Sequence, residues 1–205
     1  MEVQPLSGFA LTIPLPRGAD QVHKQGWVIW VTGLPGSGKS VVAQALQRKL
    51  SEKGVSGQIL SSDELRKFVT PKPTYSEDER EAVYGTLAFI ASLLARNGVN
   101  VIIDATGNLR KYRENCRNMI ERFAEVYLKC PLEICMQREA TRPETLHAPK
   151  GIYEKAMKGK APTVPGIGSP YEEPLGPEVI VESDRLTPEK CAETVLNRLG
   201  AFLLT

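Results

Sequence analysis

The stretch Trp27–Leu46, WVIWVTGLPGSGKSVVAQAL, decides the fold. Trp27 to Thr32 is a run of apolar and β-branched residues, the composition of a strand buried on both faces. Gly33-Leu34-Pro35-Gly36-Ser37-Gly38-Lys39-Ser40 follows with the spacing of a Walker A loop, and an amphipathic helical segment starts at Lys39 and continues through Val41. Gly33, Gly36 and Gly38 let successive backbone N–H groups turn inward as an anion nest, and the helix behind them adds its positive end. Lys39 is placed to reach the β- and γ-phosphates, and the Ser40 hydroxyl to ligate Mg²⁺. The expected ligand is therefore a Mg-bound nucleoside triphosphate. Kinases, motor ATPases and switches all use such a loop, so the phosphate acceptor must be sought elsewhere in the chain.

Outward from the loop, strand-like and helix-like segments alternate, which predicts an α/β fold of the three-layer P-loop NTPase type. Its mostly parallel sheet would carry helices on both faces. Strands are expected at Val28–Thr32, Gln58–Ser61, Asn100–Ala105, Val126–Lys129 and Val179–Glu182. Helices are expected at Lys39–Lys53, Glu77–Asn97, Arg110–Phe123, Leu132–Glu139 and Pro188–Leu203. Ser76 with Glu79 reads as a capping box, and Asn97-Gly98 as a left-handed cap. Residues 1–24 read as an irregular N-terminal extension, and 25–205 as one kinase domain. Within that domain, about 140–177 is a Pro/Gly-rich lid with a helical turn near Ile152–Lys158. Arg138, Arg142, Lys150, Lys155, Lys158 and Lys160 outnumber Glu139, Glu144 and Glu154 in its first half, which suits a cover over phosphates.

The chain has 205 residues, 41% of them hydrophobic, enough for one domain with a sizeable core. A net charge of +2 gives no whole-molecule field for nucleic acid or membrane. No apolar run approaches the roughly 20 residues that span a bilayer. Glu2 stands where a signal peptide needs a basic region, so a cytoplasmic location is expected. Cys116, Cys130, Cys135 and Cys191 lack zinc-ligand spacing and read as small buried hydrophobes.

Two acids are candidates for the chemistry. Asp104 ends the apolar strand Val101–Asp104, and Asp63 follows another in Ser61–Arg66, SSDELR. In a doubly wound sheet both strand ends open on the phosphate-loop edge, so each could be a general base or a water-mediated Mg²⁺ ligand. Arg66 lies one helical turn beyond Asp63, and Arg80, Arg110 and Arg113 follow other strand or loop ends. Guanidinium groups there suit an anionic small-molecule acceptor.

Glu125–Glu139 (EVYLKCPLEICMQRE), Lys150–Lys160 (KGIYEKAMKGK) and Gly166–Pro174 (GIGSPYEEP) resemble adenylyl-sulfate kinases. That family phosphorylates the ribose 3′-hydroxyl of adenosine 5′-phosphosulfate (APS) with MgATP. The resemblance implies that ATP binds Gly33–Val41 and Arg138, that Ser40 and Asp63 serve Mg²⁺, and that Asp63 serves the accepting hydroxyl. It implies APS contacts at Arg66, Arg80, Gly107, Arg110, Lys150 and Ile167, with Tyr75 stacking on the adenine. A homodimer is implied by the same likeness. The family's pattern is also broken. Ser61 replaces the first acid of its Asp-Gly-Asp motif, Val83 an Asn, and Gly107 the serine of Ser-Pro-Tyr-Arg. Val164-Pro165-Gly166-Ile167-Gly168 replaces Phe-Thr-Gly-Ile-Asp, which removes the second aromatic wall. Ala140–Pro149 reads as an insertion, and Asp104–Arg113 resembles other small-molecule and polynucleotide kinases. A kinase with another acceptor and a nucleotide-binding module without turnover therefore stand beside the APS kinase reading.

Overall fold

The computed structural model describes residues 24–70, 72–142 and 149–205. Five strands, β1 (Val28–Thr32), β2 (Gln58–Ser61), β3 (Val101–Asp104), β4 (Phe123–Lys129) and β5 (Val179–Glu182), form one sheet. Every pairing is parallel, in the order β2-β3-β1-β4-β5. The helices are α1 (Lys39–Ser51), α2 (Ser62–Val69), α3 (Glu77–Arg96), α4 (Arg110–Met119), α5 (Leu132–Thr141), α6 (Ile152–Met157) and α7 (Pro188–Leu203).

The central strand shows how sequence builds the layers. Side chains alternate across a strand, so Ile29 and Val31 point to one face while Val28 and Trp30 point to the other. Ile29 and Val31 join Leu46 and Leu50 of α1 and Val195 and Leu199 of α7 in one core. Val28 and Trp30 join Leu87 and Ala91 of α3 and Tyr112 and Cys116 of α4 in the other. A third, smaller core holds Cys130, Cys135, Tyr153 and Val164, with Leu34 of the phosphate loop packed against it. The Pro/Gly-rich segment is thus seated on that loop, and Tyr153 Oη donates to Pro35 O at 2.8 Å.

Several boundaries differ from expectation. β4 starts at Phe123, because the chain leaves α4 at Met119 and Ile120 is already extended (φ −131°, ψ 116°). The charge of Glu125 hides the first half of this strand in the sequence. α2 extends to Val69 the single helical turn expected from Asp63 to Arg66. Ser61 ends β2 and at once caps α2, its Oγ accepting from Glu64 N–H, so no linker announces the helix. The capping box is half formed: Ser76 Oγ accepts from Glu79 N–H at 3.2 Å, but the Glu79 carboxylate turns elsewhere. Gly98 provides the left-handed step after α3 (φ 78°), as expected. The four thiols are free and buried. Residues 1–23 of the expected extension, and most of the expected insertion, lie outside the described residues.

Candidate active site

The carboxyl ends of β1, β2 and β3 open on a single cavity of about 1210 Å³. Its phosphate end is the loop after β1. Gly36 (φ 83°) and Gly38 (φ 97°) take left-handed backbone, and a Cβ on Gly36 would stand 2.3 Å from Cys135 O, so only glycine fits there. Lys39 Nζ donates to Gly33 O at 3.1 Å and to Leu34 O at 3.0 Å, which holds the ammonium within the cradle. Ser40, in the first turn of α1, is exposed. Arg138 lines the cavity and donates to Ser183 O at 2.9 Å. Ser183 Oγ in turn donates to Ser37 O at 2.8 Å, which braces the loop from the end of β5.

Between the two ends lie Asp63 and Asp104, both lining the cavity. The register of β2 on β3 sets Ser61 opposite Asp104, so the two acids share a strand edge. Burial lowers the Lys39 pKa from its ordinary value, while the charges of Asp104 and Asp63 oppose the shift. Bound phosphates would stabilise the ammonium. ATP binding is therefore expected to take up a proton at alkaline pH, and ATP affinity to fall as pH rises through a window that opens below 10.5. Calorimetry in buffers of differing ionisation enthalpy checks this; pH-independent affinity across that window would contradict it.

The far end is built by α2 and α3. Arg66 and Arg80 are buried, and both guanidiniums lie over the Tyr75 ring, at 4.8 and 5.8 Å from its centroid. Arg66 pairs with Glu79. Arg80 donates to Tyr75 O at 3.1 Å, to Asn108 Oδ1 at 3.4 Å and to Thr163 O at 2.7 Å. Arg142, Lys155 and Lys160 line the same cavity from the proline-rich segment, with Val164. Val83 is fully buried in α3.

Four expected acceptor contacts sit elsewhere. Gly107, Arg110, Lys150 and Ile167 lie outside the cavity's lining among the described residues. Gly107 (φ 49°) lets the Trp30 ring approach, since a Cβ would come within 2.7 Å of it. Arg110 N–H donates to Glu172 Oε2 at 2.7 Å and its guanidinium to Glu173 O at 3.1 Å. Lys150 O accepts from Lys155 Nζ at 3.0 Å, and Ile167 is partly exposed on a turn. Arg113 is no anion clamp: it is buried, with Nε on Glu125 at 2.5 Å and its other nitrogens on Gly107 O and Glu172 O.

Sequence reasoning missed Asn108 and Glu79. Asn108, 1% exposed, accepts from Arg80 and donates to Ser169 Oγ and Pro170 O, joining the acceptor end to the root of the proline-rich segment. Its place beside Gly107, at a break in the family's Ser-Pro-Tyr-Arg, was the available signal.

Comparison with known proteins matches residues 25–182 to the family described as Adenylylsulphate kinase. A probable adenylyl-sulfate kinase of Pyrococcus abyssi is 38% identical over 174 residues, covering 85% of this chain and 95% of that one. An adenylyl-sulfate kinase of Rippkaea orientalis is 35% identical over 178 residues, 87% of this chain and 93% of that one. Among solved structures, the APS kinase CysC of Mycobacterium tuberculosis in complex with AMPPNP and APS superposes with a TM-score of 0.75 at 35% identity. That match covers 86% of this chain and 98% of the other. A gluconokinase of Sinorhizobium meliloti, 19% identical with a TM-score of 0.60, shares the fold alone. With the match spanning the phosphate loop, both acids and the proline-rich segment, the chain belongs to the adenylylsulphate kinase family.

Proposed function

We propose that the protein transfers the γ-phosphoryl of ATP to the ribose 3′-hydroxyl of APS, giving 3′-phosphoadenosine 5′-phosphosulfate and ADP. One observation carries this reading. One cavity is lined by the Walker A loop, by Asp63 and Asp104, and by Tyr75 with two buried guanidiniums over its ring. A ring and two guanidinium groups stacked together on a cavity wall offer a planar surface and positive charge to a nucleobase carrying an anionic tail.

In this reading the N–H groups of Gly33–Val41 and the Lys39 ammonium hold the phosphates, with Arg138 beside the nucleotide. Asp63 orients or deprotonates the accepting hydroxyl, and Tyr75, Arg66 and Arg80 hold APS. Gly107, Arg110, Lys150 and Ile167 would then act through the walls of the pocket. The site fits Mg²⁺: the exposed Ser40 hydroxyl and the carboxylates of Asp63 and Asp104 are hard oxygen donors facing one cavity. Mg²⁺ is ordinarily held by one or two carboxylates plus phosphates and water. When bound it would neutralise charge on the phosphates. The proline-rich segment excludes water by resting on the loop through Tyr153 and Leu34.

No helix among the described residues is long and apolar enough to cross a membrane. From the family it belongs to, we read the enzyme as cytoplasmic. We read the enzyme as a homodimer, as the family resemblance implies.

ADP release from MgATP, with and without APS, tests the function. Release that depends on APS and disappears in Lys39→Ala is the expected result. Equal release with and without APS would move the reading to a kinase with another acceptor, and a panel of anionic metabolites would follow.

A further inference from the structure

Glu79 occupies the third position of α3, from which a capping-box carboxylate would reach back to the N–H of Ser76. It does something else. Its Oε2 accepts from Thr74 N–H at 2.5 Å, from Thr74 Oγ1 at 2.7 Å and from Tyr75 N–H at 3.0 Å. Its Oε1 accepts from Arg66. Ser76 N–H is left to Thr74 Oγ1 at 3.4 Å.

What this arrangement holds is unusual. Among the described residues Tyr75 alone, apart from glycines, has a positive φ (57°). L-residues with bulky side chains rarely adopt that conformation, and it persists only where surroundings over-determine it. Here the peptide is gripped at both ends. Glu79 accepts from the Tyr75 N–H, and Arg80 Nε donates to the Tyr75 carbonyl. The left-handed step turns the ring into the cavity between Arg66 and Arg80. The same carboxylate ties down the Arg66 guanidinium, so one side chain fixes both the aromatic platform and one of its flanking cations.

We infer that Glu79 is a positioning residue for the acceptor: it holds the Tyr75 ring and the Arg66 guanidinium in the pose offered to a nucleobase and its anionic tail, without touching either. This rests on the APS kinase reading above. The chemistry calls for a carboxylate. Four donors converge on it, and an amide would turn an NH₂ toward at least one of them. Burial alone would raise the Glu79 carboxyl, but the hydrogen bonds from Thr74 and Tyr75 and the Arg66 charge hold it below the ordinary carboxylate value. The group is therefore ionised at neutral pH.

Steady-state kinetics of the full chain, varying APS and ATP separately, test this in Glu79→Gln and Glu79→Asp, with thermal midpoints recorded alongside. Glu79→Gln is expected to raise KM for APS about tenfold to a hundredfold, the loss of an aromatic stacking platform. KM for ATP and kcat should stay within about twofold, since the phosphate loop is untouched. Glu79→Asp keeps the charge on a shorter arm and should give an intermediate KM for APS. A purely structural role would move the thermal midpoint and both KM values together. That outcome, or an unchanged KM for APS in Glu79→Gln, overturns the inference. Should Glu79→Gln not fold, Glu79→Asp decides: its KM for APS must rise while that for ATP does not. Failure confined to the variants sinks this inference alone, whereas a wild type without APS-dependent ADP release sinks it together with the function.

Discussion

Asp63→Asn is expected to lower APS-dependent turnover by about 10²–10⁴-fold, the usual worth of a positioned general base, while ATP still binds. The substitution is nearly isosteric, and Asp63 sits in the first turn of α2, where an amide disturbs neither the Ser61 cap nor the Arg66–Glu79 pair. The loss should therefore fall on kcat, with fluorescence-monitored nucleotide titration close to wild type. Asp104→Asn is the informative partner. Asp104 ends β3 beside the central strand and is buried, so it is better placed to support the phosphate end than to meet a substrate entering from α2 and α3. If Asp104→Asn abolished turnover and Asp63→Asn did not, the roles of the two acids would be exchanged.

The second large effect concerns stability. Arg113→Ala should cost about 3–5 kcal/mol, because it leaves Glu125 buried on β4 with its main partner gone. Three groups lose a donor at once: the Glu125 carboxylate and the carbonyls of Gly107 and Glu172. Burial already raises the Glu125 pKa against the pull of Arg113 and Arg117, so this carboxylate tolerates little further loss. Urea denaturation should show a lower midpoint with an unchanged slope. Because Arg113 and Glu125 form one network, the double change Arg113→Ala with Glu125→Ala should cost less than the sum of the two single ones. Additive losses would show that the pair is not coupled.

The phosphate end was legible because its chemistry is local. Eight consecutive residues, Gly33 to Ser40, make the loop, and the strand and helix flanking it follow from their own periodicity. The acceptor end is assembled from α2, the turn before α3, and Asn108 and Thr163 behind Arg80, which sequence spacing does not join. Hence Arg113 reads as a candidate anion clamp when in fact its partner is a buried carboxylate twelve residues on. Glu79 reads as a capping residue for a similar reason. The pattern Ser76-x-x-Glu79 is present, yet the carboxylate is taken up by Thr74, Tyr75 and Arg66, which the spacing does not reveal. α2 was legible only as the turn from Asp63 to Arg66, because its cap is also the last residue of a strand and the usual pause between elements is missing.

The two cores also differ in when they can be completed during synthesis. The face carrying α3 and α4 draws on residues between Val28 and Phe123, with the partly buried neighbours falling in the same span. The face that backs α1 cannot close without α7, and Trp27 Nε1 donates to Leu203 O at 3.1 Å across 176 positions. A chain emerging from the ribosome can therefore settle one side of its sheet long before the other. Until α7 docks, α1 lacks the apolar cover that Val195 and Leu199 give it.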